Sequence, residues 1–68
     1  MNEDNLNMEI RKFLKKVGIS SQRIIENSIN LANDKGLINK GDHIEIKMSL
    51  AINSLNINNV ISGKINIE

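Results

Sequence analysis

The chain has no cysteine, no proline, no tryptophan and no tyrosine, and one phenylalanine, Phe13, supplies all of its aromatic character. Without cysteine there is no disulfide and no thiolate zinc site. Without these staples or aromatic bulk, a core has to be built from aliphatic side chains, largely isoleucine. Charge of one sign is also scarce, because nine Lys and Arg against eight Asp and Glu leave a formal net charge of +1. The molecule as a whole is therefore no polyanion binder, and any phosphate attraction has to be local. No apolar run approaches the ~18 residues of a membrane span, and the start Met1-Asn2-Glu3-Asp4-Asn5 is acidic and polar, unlike a secretory signal. The expected setting is the cytoplasm. The 68 residues imply one domain, and folding of so short a chain buries only about 60% of the surface its unfolded form exposes. A core that small favours self-association.

What is present is two kinds of periodicity. Apolar residues recur at three- and four-residue steps from Leu6 to Ala32, then at every second position through Ile44, Ile46, Met48, Leu50 and Ile52. The first pattern reads as two helices. Helix one starts at Asp4 or Asn5 and runs to Val17, with Gly18 ending it, and it buries Leu6, Ile10, Phe13, Leu14 and Val17 in an arc about 100° wide. Helix two covers Ser21 to Lys35 and stops at Gly36. Ser20 is its N-cap, and Ile19 and Ile24 are placed as a hydrophobic staple. Its apolar residues Ile24, Ile25, Ile29, Leu31 and Ala32 spread over about 160°, more than one neighbour needs.

The second pattern reads as a hairpin, with strands His43 to Ile52 and Ile57 to Ile67. Of three registers that keep the dry faces together, the favoured one sets Glu45 against Lys64 across Asn53-Ser54-Leu55-Asn56. It places Asn59 on the dry face, so a bulge near Asn58-Asn59 is expected. The expected fold is therefore α+β, with two helices in a helix-turn-helix-like arrangement packed on an antiparallel β-hairpin, in the order α-α-β-β. Both outer sheet edges remain unpaired; Lys47 and Lys64 discourage unlimited edge pairing, and a two-fold homodimer joining hairpins removes one edge per chain.

Several stretches carry a resemblance: Met1-Asn2-Glu3-Asp4, Asn7-Met8, Arg11-Lys12-Phe13-Leu14-Lys15, Val17-Gly18, Ser21-Gln22, Ile25-Glu26 and the ending Gly63-Lys64-Ile65-Asn66-Ile67-Glu68. Through them the chain resembles a family of short uncharacterised bacterial proteins, chiefly proteobacterial. The resemblance implies a bacterial, cytoplasmic, single-domain protein, and it implies no activity, cofactor, partner or site residue.

Two surfaces suggest binding. Read as a helix-turn-helix, the second helix presents Gln22, Arg23 and Asn27, side-chain types that read base edges, and the hairpin becomes a wing. Against this, Leu14 is bulky where such motifs carry a small residue, and Asn27 falls where an apolar one belongs. The second surface is the basic face of helix one, Arg11, Lys12, Lys15 and Lys16 with Met8 among them; from Ile10 to Ile25 there are five cations and no carboxylate. The plainer explanation is an ordinary charged outer face, with Lys15 and Lys16 complementing the helix dipole. His43 has Asp42 and Glu45 nearby but no second His or Cys to complete a metal cage, and Ser49 and Ser62 sit in no nucleophile motif. No phosphate-binding glycine loop is present. No catalytic, metal or cofactor-binding residue is therefore assigned. The favoured reading is a small non-enzymatic interaction module that self-associates as a homodimer or binds another protein. The alternative is a winged-helix-like nucleic-acid binder, and membrane binding is not favoured.

Overall fold

The computed structural model describes residues 1–68, and it contains one helix, not two. The helix α1 spans Glu3–Asp34, and it is followed by strands β1, His43–Ile52, and β2, Ile57–Asn66, with a short 3-10 turn over Asn53–Leu55 between them. The chain divides into two units, Met1–Leu37 and Ile38–Glu68.

The expected helix-turn-helix is overturned because α1 runs through Gly18, Ile19 and Ser20 without a break. On one continuous winding of about 100° per residue, the apolar arc of residues 6–17 falls inside the wider arc of residues 24–32. The two stretches are already in phase, so no turn is needed to bring their faces to one side. A glycine inside a helix costs about 1 kcal/mol relative to alanine, while opening a turn there gives up several main-chain hydrogen bonds. At 32 residues the helix is about 48 Å long.

Its start lies earlier than Asp4. Asn2 is the N-cap, with extended backbone, and its Oδ1 accepts a hydrogen bond from the Asn5 amide at 3.0 Å. Glu3 and Asp4 then occupy the first turn, where carboxylates favour the positive end of the dipole. The end agrees with the sequence reading. Gly36 takes φ of 71°, its amide donates to the Asn33 carbonyl at 3.0 Å, and the Leu37 amide donates to Ala32 at 2.9 Å. These two bonds form a Schellman cap, whose left-handed position suits glycine.

The hairpin adopts the register favoured from charge. Glu45 stands opposite Lys64, and ten consecutive pairs run from His43↔Asn66 to Ile52↔Ile57. The reversal uses the four residues Asn53–Asn56, with Asn56 in the left-handed region at φ 55° and its amide bonded to the Asn53 carbonyl at 3.2 Å. At the open end, the Gly41 amide donates to the Ile67 carbonyl at 2.6 Å and the Ile67 amide to the Asp42 carbonyl at 2.9 Å, extending the ladder beyond β1. An Asp42 carboxylate oxygen accepts from the Asn39 amide at 2.9 Å, which ties the approach to β1.

The expected bulge is absent, since Asn59 pairs squarely with Leu50 and Asn58 with Ala51. The reason is solvation: Asn59 and Leu50 are both exposed, so the amide keeps its water and has no cause to leave the apolar face.

No residue is buried in this chain, and the expected aliphatic core is not closed. Val17, Ser21, Ile25, Ile29 and Ala32 of α1 are half-buried, as are Ile38, Asp42, Ile44, Ile46, Ile65 and Ile67 in the hairpin unit. Leu6, Ile10, Phe13 and Leu14, expected on a buried face, are exposed. A single helix and a two-stranded sheet are each one layer, and a layer seals its apolar side only against another.

The helix interior yields a simple prediction. A Cβ added at Gly18 meets nothing within 4 Å. Gly18→Ala is therefore expected to stabilise α1 by about 0.5–1 kcal/mol through reduced backbone entropy in the unfolded chain. A thermal melt followed by helical circular dichroism checks it; an unchanged or lowered midpoint refutes it.

Candidate interaction surface

Continuity of α1 sorts its side chains into two opposed sectors. One apolar sector, about 160° wide, holds Leu6, Ile10, Phe13, Leu14, Val17, Ile24, Ile25, Ile29, Leu31 and Ala32. The opposite sector carries Lys12, Lys15, Lys16 and Arg23, interrupted by two apolar side chains, Met8 and Ile19, while Arg11 lies at the margin of the apolar sector, in phase with Ile29. These six and Arg11 are exposed. The sequence-level staple role for Ile19 does not hold, because the residue sits in mid-helix on the charged side; its phase relative to Phe13 and Ile24 is the signal that places it there.

Lys12, Lys15, Lys16 and Arg23 share one side of one rod, with Arg11 at its margin. The chain's one ion pair lies elsewhere, between Lys47 and Glu45 at 3.8 Å on β1, both well exposed. The five helix cations thus have no carboxylate partner. The base-reading group fares differently. Gln22 and Asn27 are about 140° apart around the helix, and the Gln22 amide donates to Glu26 Oε1 at 2.8 Å. With no turn at Gly18 there is no separate recognition helix to enter a groove while another crosses the backbone, which is the geometry that reading required.

On the hairpin, the apolar side consists of Ile44, Ile46, Met48, Leu50 and Ile52 facing Ile65, Gly63, Ile61, Asn59 and Ile57. Toward the turn, Met48, Leu50, Ile52, Leu55, Ile57 and Ile61 are all exposed. The other side carries Glu45, Lys47 and Lys64, with Val60 standing exposed among them. His43 is exposed and its Nδ1 lies in hydrogen-bond contact with Asn66 Oδ1, its cross-strand neighbour. No three His, Asp or Glu side chains converge as metal ligands. No helix is long and apolar enough to cross a membrane.

The chemistry on offer is therefore that of apolar faces and unpaired cations. Of the apolar residues assigned from sequence to an internal core, Leu6, Ile10, Phe13, Leu14, Ile24 and Leu31 are left exposed. No curated protein and no solved structure matches the chain. A family of unknown function (DUF6494) matches over residues 1–68, and the chain belongs to that family.

Proposed function

We propose that this protein is a non-enzymatic, self-associating module that closes its apolar core against a second copy of itself. A bacterial, cytoplasmic setting is part of this reading and follows the family resemblance. The observation that carries it is exposed area. The unit Met1–Leu37 leaves Leu6, Ile10, Phe13, Leu14, Ile24 and Leu31 exposed on one helix sector, and the unit Ile38–Glu68 leaves Met48, Leu50, Ile52, Ile57 and Ile61 exposed on one sheet face. Seventeen large hydrophobic side chains of the chain are exposed, far beyond the scattered apolar residues that a monomer tolerates.

Sedimentation equilibrium tests the proposal. A dimer is expected at tens of micromolar, with a dissociation constant that changes less than about twofold as sodium chloride rises from low to moderate strength, because burial of apolar surface is little screened. A chain that stays monomeric at those concentrations removes the proposal. Binding to mixed DNA or RNA through the unpaired cations would instead weaken steeply over the same salt range.

A further inference from the structure

Resting on that self-association, we infer that two copies pair their helices antiparallel, about a two-fold axis at the middle of α1. Four residues carry the inference. Leu6, Phe13, Ile24 and Leu31 are 40%, 60%, 65% and 55% exposed. Leu6 and Ile24 are eighteen residues apart, as are Phe13 and Leu31, and eighteen residues make five helical turns. All four therefore lie in a strip about 20° wide along the edge of the apolar sector.

The strip is palindromic. Its steps are seven, eleven and seven residues, so it reads the same from either end, with its centre between Gly18 and Ile19. That centre is also the midpoint of the helix Glu3–Asp34. A two-fold interface requires that when residue i meets residue j, j also meets i. Antiparallel pairing about this centre sets Leu6 level with the partner's Leu31 and Phe13 level with the partner's Ile24, and each contact occurs twice. Between these levels Ile10 comes level with Asn27 and Val17 with Ser20, and polar residues at such seam positions fix one register.

Charge favours the same direction. The antiparallel pair sets each helix's positive end beside its partner's negative end. The like-charge level it creates, Glu3 beside Asp34, lies at the helix termini, where water screens it.

The absence of native cysteine makes crosslinking unambiguous. Phe13→Cys and Ile24→Cys chains, mixed at dimer-forming concentration and oxidised, are expected to give the mixed disulfide about tenfold over either homodisulfide, since the bond forms only at short Cβ separation. The pair Leu6→Cys and Leu31→Cys is expected to behave alike, and it decides the matter if the first pair does not assemble. Predominant homodisulfides mean parallel helices and overturn the inference. So does a dimer, seen by sedimentation, that gives no enriched mixed disulfide at either pair, the result of joining through hairpin edges. Both outcomes leave self-association standing, whereas a wild-type chain that sediments as a monomer removes both.

Discussion

Replacing Ile24 with aspartate is expected to weaken self-association by about a thousandfold, while Ile19→Asp changes it less than twofold. Both residues are exposed isoleucines of one helix, at 65% and 54%, so neither substitution disturbs an interior. They differ in phase: Ile24 lies on the palindromic strip and Ile19 on the charged sector. Burying an isoleucine contributes about 1.5–3 kcal/mol, and a two-fold dimer loses that contribution at two sites. The total of about 4 kcal/mol corresponds to about three powers of ten in the dissociation constant, before the desolvation of two carboxylates is counted. Sedimentation equilibrium on the two variants decides the matter, and equal effects from both would show that the strip is not the seam.

The second large effect is expected at Gly41. Its φ of 95° lies beyond the left-handed region that other residues occasionally occupy. Nothing crowds the position, so strain here comes from the backbone alone. The Gly41 amide closes the ladder onto Ile67, which prevents the backbone from relaxing to a more common conformation without losing that bond. Gly41→Val is expected to cost about 2–3 kcal/mol, the upper part of the range for such conformations. In a chain this short that lowers the melting temperature by roughly 10 °C or more. A thermal melt checks it, and a shift of under about 3 °C would show that the segment relaxes freely.

How much of this was legible in the sequence depends on which signals had competitors. The hairpin register was legible because two of three candidates set like charges face to face, and pairing Glu45 with Lys64 excluded them. The stop at Gly36 was legible because the apolar period ends there as well. Gly18 was misread because glycine followed by a serine with flanking isoleucines has the form of a stop and a restart. Each of those residues is also tolerated inside a helix at modest cost. The decisive evidence was the common phase of the arcs before and after Gly18, which a comparison of Phe13 with Leu31 displays. The bulge at Asn58-Asn59 was inferred from a dry face, and that face is wet at Leu50. Lys12, Lys15 and Lys16 share one side of the helix with Arg11 at its margin, whereas Gln22, Arg23 and Asn27 depended on the turn and lost their common role with it. The exposed strip of Leu6, Phe13, Ile24 and Leu31 was not legible, because periodicity marks an apolar face without saying which molecule covers it.

The ordering of events during folding follows from the ladder of the hairpin. Its widest contact, Gly41 with Ile67, spans only about 26 positions, and the bonds of α1 each reach back four. Contacts so local close on the microsecond scale without waiting for distant parts of the chain. On the proposed self-association, collision between two chains then becomes the slow event, and the observed refolding rate is expected to rise in proportion to protein concentration.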